Sequence, residues 1–78
     1  MKVVLGAGLT KFEGWTSTNE EELNLLKRSD FEKIFNSQKA SAMLAEHVWE
    51  HMTLEEGIIA AKNCYDYLEY GGYIRVAV

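Results

Sequence analysis

The sequence predicts an α/β layer fold in one domain, with a mainly parallel sheet of about four strands and flanking helices. Three observations carry this. Val3-Val4-Leu5 is a short, continuous apolar run stopped by Gly6-Ala7-Gly8, the pattern of a strand buried on both faces. Two segments with S/T-x-x-E capping boxes then alternate with further apolar runs. The last segment, Tyr73 to Val78, alternates with a period of two.

Each element follows from its residues. After the glycine turn, Trp15-Thr16-Ser17-Thr18 is β-prone and predicts a second short strand. Glu20-Glu21-Glu22 reads as a solvated turn or a first helical turn, with Leu23, Leu25 and Leu26 giving apolar cover. Ser29-Asp30-Phe31-Glu32 predicts a helix start, Phe31, Ile34 and Phe35 follow at helical spacing, and Asn36-Ser37 ends it. Ala42-Met43-Leu44-Ala45 reads as a strand, although a buried helical turn has the same pattern.

Thr53-Leu54-Glu55-Glu56 predicts the clearest helix. Leu54, Ile58, Ala61, Tyr65 and Leu68 step by four and three along one face, so they are expected to face the core. Gly71 is placed as the left-handed residue after that helix. Gly57 inside it costs about 1 kcal/mol relative to alanine, a cost that close packing against a strand would justify.

Composition bounds the function. Seventy-eight residues with 47% hydrophobic and 26% charged content form one small globular domain rather than a disordered chain. The formal charge of −4 argues against nucleic acid or anionic lipid as a partner. Residues 1–39 carry six basic and six acidic side chains and residues 40–78 carry two and six, so the excess negative charge lies in the second half. One cysteine, Cys64, excludes an internal disulfide and fits a reducing, cytoplasmic setting. No stretch reads as a signal peptide, and none approaches the roughly 18 apolar residues of a membrane span. A core this small contributes little stability alone. Together with the apolar last strand at a sheet edge, this predicts a homodimer or a sheet-completing partner.

Two local patterns carry chemistry. Gly6-Ala7-Gly8 lies where nucleotide-binding α/β folds bring backbone close to a ligand, although a tight turn needs the same residues. His47-Val48-Trp49-Glu50-His51 matches H-x-x-E-H, a zinc-protease pattern when helical. It uses both histidines of the chain and follows a strand-like run, so a polar strand end and loop is the simpler reading.

Taken together, Lys2–Gly8, Glu13-Gly14-Trp15, Ala45–Thr53 and Leu68–Val78 resemble the class I S-adenosylmethionine-dependent methyltransferases, in the family's order and across nearly the whole chain. The likeness is to the small or truncated type in which an "EHVxEH" segment follows the fourth strand and "LKPGG" precedes a strand reading "RIAVPD". It implies a truncated Rossmann-like fold, S-adenosylmethionine as cofactor and methyl transfer to an unidentified acceptor. Gly6, Ala7 and Gly8 would pass under the methionine part, and Thr18, Asn19 and Glu20 would approach the ribose. Glu46 and His47 would face the methyl group and substrate as candidate bases, and no metal is implied. The sequence departs from the family at several points: the acid before the glycine turn is absent, Thr10 stands for a third glycine, Asn19 stands for the ribose acid unless Glu20 replaces it, and Tyr70 stands for the proline. An alternative is a non-catalytic interaction module that keeps the scaffold and self-associates through a sheet edge.

Overall fold

A computed structural model describes all residues, Met1–Val78. The elements are β1 (Lys2–Leu5), β2 (Thr16–Ser17), α1 (Arg28–Phe35), β3 (Ala40–Glu46), a short 3₁₀ helix (Trp49–His51), α2 (Leu54–Asp66) and β4 (Leu68–Ala77). The four strands form one sheet in the order β2-β1-β3-β4, and every neighbouring pair is parallel. This is the expected α/β layer fold, compatible with a small Rossmann-like arrangement. No helix is long and apolar enough to cross a membrane.

The sheet order explains the layers. The β2–α1–β3 and β3–α2–β4 crossovers step the same way across the sheet, and crossovers of one hand then place both helices on one face. Val3, Leu5, Met43 and Ala45 on that face form a single cluster with Phe31 and Phe35 of α1 and Ala60 and Cys64 of α2. Phe31, Phe35 and Tyr67 pack as three rings with centroids 5.2–5.9 Å apart. Phe31 and Phe35 are fully buried, so each contributes on the order of 1.5–3 kcal/mol of burial free energy. No helix joins β1 to β2. Residues 6–15 run instead as turns beside the opposite face, where the Ser17 hydroxyl donates to the Thr10 carbonyl at 3.0 Å.

Several local expectations change. The capping box at Ser29 does not form: α1 starts two residues earlier, at Arg28 behind Lys27, which makes no side-chain cap, and the Asp30 carboxylate accepts from the Asn24 N–H at 2.9 Å. The box at Thr53 does form, with Glu56 N–H donating to Thr53 Oγ1 (3.1 Å) and Thr53 N–H donating to Glu56 Oε1 (2.9 Å). Leu68 begins β4 rather than ending α2, and Gly71, left-handed at φ +83°, lies in a register shift of β4 instead of capping the helix.

The largest correction concerns the face that α2 buries. Leu54 (82% exposed), Ile58 (62%) and Tyr65 (75%) point outward. The buried face carries Ala60, Asn63 and Cys64, with Gly57 half-buried one turn earlier. Small residues let this helix approach its neighbours closely. At Gly57 the neighbour is the Trp49 indole rather than a strand: a Cβ there would lie 3.3 Å from Trp49 Cδ1, and Trp49 Nε1–H donates to the Gly57 carbonyl at 3.1 Å.

Candidate functional site

In an open α/β sheet, ligands bind beyond the carboxyl ends of the strands, where the strand order reverses. Here the chain leaves β1 toward β2 on one side, and β3 lies on the other. A cavity of about 420 Å³ opens there. Gly6 lines it from the end of β1, Asn19, Glu20 and Leu23–Leu26 from the segment after β2, His47 and Val48 from the end of β3, and His51, Met52 and Glu56 from the start of the next layer.

The glycine turn has two physical causes. Gly6 is at φ +61°, and a Cβ there would lie 2.8 Å from Val48 Cγ2, so the turn permits a close approach to a protein side chain. Gly8, also at φ +61°, faces open space. Its N–H donates to Asn19 Oδ1 at 2.7 Å, and Asn19 Nδ2 donates back to the Gly8 carbonyl at 3.1 Å. Thr18 is buried, and its hydroxyl donates to the Val4 carbonyl at 2.8 Å, which prolongs the β1–β2 ladder.

The structure therefore sorts the residues singled out from sequence. Gly6, Asn19, Glu20 and His47 meet at the cavity. Ala7, Gly8, Thr18 and Glu46 lie outside its lining, although Gly8 and Thr18 brace the loops that form it. Leu23, Leu25 and Met52 are wall residues that motif reading missed. For the leucines the one sequence signal was the apolar cover of Leu23, Leu25 and Leu26 behind the acidic run, and Met52 had none of its own. Asn63, buried on α2, holds that wall by donating to the Leu25 carbonyl at 2.8 Å.

His47 turns the chain sharply out of β3 with φ +57°. Its Nδ1 lies 3.0 Å from Glu50 Oε2. The Glu50 carboxyl is held below its ordinary value, first by its own backbone N–H and then by the His47 imidazole. The H-x-x-E-H segment is a strand end, a turn and one 3₁₀ turn rather than a helix, and no group of three or more His, Cys, Asp or Glu side chains is placed to hold a metal ion.

No family model, curated protein or solved structure matches this chain.

Proposed function

We propose that the chain binds a phosphate-free adenosyl ligand at the cavity between β1 and β3, with S-adenosylmethionine as the cofactor implied by the family resemblance. The observation that carries this reading is the lining itself, at the point where strand order reverses. Leu23, Leu25, Leu26 and Met52 supply apolar wall for a purine, and Glu20 supplies an acceptor for ribose hydroxyls. No lysine or arginine lines the cavity, whereas Glu20 and Glu56 do. That balance disfavours phosphates and favours a ligand carrying a sulfonium cation. The volume lies within the roughly 300–1,000 Å³ of small-molecule sites.

The nucleoside half fits better than the methionine half. Val48 fills the space above Gly6, and the Gly8 N–H is already paired with Asn19. When bound, the cofactor would supply an activated methyl group. The chain's part is to align an acceptor and take its proton. His47 is the lining base for that role: Nδ1 faces Glu50, which leaves Nε2 to accept the proton. The single cysteine fits a reducing, cytoplasmic setting.

The test is a titration of labelled protein with S-adenosylhomocysteine, followed by amide chemical shifts, with ADP as the phosphate control. Micromolar binding with shifts at Gly6, Asn19–Leu26 and His47–Met52 is the expected result. A folded sample without shifts at millimolar ligand, or one that binds ADP as tightly, overturns the reading. A second reading, an interaction module on the same scaffold, is favoured by the outward apolar face of α2.

A further inference from the structure

We propose that the open edge of β4 and the outward face of α2 form one surface, and that it pairs with a second copy of this chain about a two-fold axis. Eight of the eleven large apolar side chains left exposed fall within residues 54–78. On α2, Leu54, Ile58, Ala61 and Tyr65 make a charge-free stripe spaced four, three and four, the spacing of a helix–helix seam. Beside it lies an all-apolar groove of about 390 Å³, floored by Leu68, Ile74 and Val76 of β4 and walled by Ala61 and Tyr65. Helix stripe, groove and strand edge are therefore continuous.

The strand edge specifies how a second copy joins. The Ala77 carbonyl points inward and accepts from the His47 N–H at 2.7 Å. Strand alternation then turns the backbone groups of Ile74 and Val76 outward, free to pair. A two-fold axis perpendicular to the sheet makes the new pairing antiparallel and brings the two α2 helices side by side on one face. Centring it on Arg75 would set two guanidinium groups opposite each other, which is unfavourable. Centring it on Ile74 sets each Arg75 opposite the second copy's Tyr73, a cation–aromatic pair made twice. Tyr73 is 58% exposed and Arg75 is exposed without an ion-pair partner within the chain.

The available area suffices. A standard interface takes roughly 800 Å² from each partner, about one-seventh of this chain's 5377 Å². Tyr65, Tyr70 and Tyr73 each carry about 150–250 Å² and are more than half exposed; with Leu54, Ile58 and Val76 they expose apolar area of that order.

Sedimentation equilibrium of the full chain tests the proposal without reference to the cavity. The expected mass at high micromolar concentration is twice 8.9 kDa. Ile58→Glu, at an exposed position, should raise the dissociation constant at least about tenfold with unchanged circular dichroism. In a Cys64→Ala background, Ile74→Cys should form an intermolecular disulfide on mild oxidation, because residues opposite in a hydrogen-bonded pair lie about 5.5 Å apart at Cα. Leu9→Cys, fully exposed in the loop beside β2, is the collision control. A monomer at all concentrations overturns the proposal. So does a dimer, or a larger complex, that Ile58→Glu leaves intact or in which Ile74→Cys links no faster than the control.

Discussion

Asn19 holds Gly8 from both sides: its Oδ1 accepts from the Gly8 N–H at 2.7 Å and its Nδ2 donates to the Gly8 carbonyl at 3.1 Å. The side chain thus acts as one more rung between the turn after β1 and the end of β2. Asn19→Ala removes both bonds, each worth roughly 0.5–1.5 kcal/mol. Urea denaturation should show a loss of about 1–2 kcal/mol, with amide shifts at Gly8 and Thr18. Asn19→Asp keeps the acceptor but sets a carboxylate beside the Gly8 carbonyl, so it should recover little of the loss. Full recovery would show that the donor half of the clamp is idle.

Gly6 is constrained by conformation and by space together. At φ +61° an alanine is strained, and its Cβ would stand 2.8 Å from Val48 Cγ2. Gly6→Ala should cost about 1–3 kcal/mol. Val48 also packs against the core, so Val48→Ala has a cost of its own, but in that background Gly6→Ala should cost less, because the clash is gone and only the strain is left. Denaturation midpoints of the four combinations separate the two terms; if Gly6→Ala costs as much in the Val48→Ala background as in the parent, strain accounts for all of it.

The order of strands and helices was legible because its markers are local: glycines that stop β1, the capping box at Thr53, and left-handed Asn36 behind α1. The buried face of α2 was not. Leu54, Ile58, Ala61 and Tyr65 offer the strongest apolar period, yet the helix packs through Gly57, Ala60, Asn63 and Cys64, which read as weak or polar. Close packing against Trp49, in the turn before the helix, and a satisfied amide at Asn63, whose partner Leu25 is distant in sequence, decide this, and neither is visible in the helix's own periodicity. The cavity divides in the same way. Gly6, Glu20 and His47 could be placed from motifs, whereas its leucine wall depends on how residues 19–26 fold back over the sheet.

Burial pushes the Cys64 thiol up to about 12. An unfolded thiol ionises near its ordinary value of 9.0, so the fold favours the neutral form. This contribution to stability is fully present below that ordinary value and is lost as pH rises toward about 12. Between roughly pH 8 and pH 11, the parent chain should therefore lose more stability than Cys64→Ala. An aromatic disulfide reagent should leave the native thiol unmodified at neutral pH and react once urea unfolds the chain. Prompt reaction of the native protein would contradict the burial.

Asp66 gathers two cations at the end of α2: Arg28 Nη1 at 2.7 Å and Lys62 Nζ at 3.4 Å. The Arg28 hydrogen bond, and then Lys62, hold its carboxyl below the ordinary value. Arg28 also donates to Asn63 Oδ1 at 3.2 Å and lies 5.3 Å from the centre of the Tyr67 ring. Because Asn63 in turn holds the Leu25 carbonyl, the ion pair braces the cavity wall through one intermediate side chain. A depressed carboxyl stabilises the fold above its ordinary value, and that contribution disappears as pH falls through the folded value. Asp66→Asn should therefore lower the denaturation midpoint at neutral pH and converge with the parent in acid. It should also broaden the Leu25 and Leu26 amide signals at neutral pH. Asn63→Leu removes the downstream link and leaves the Leu25 carbonyl without its partner, at a cost of about 1–3 kcal/mol. In that background Asp66→Asn should no longer affect the Leu25 signals. If it still does, the brace reaches the wall by a route other than Asn63.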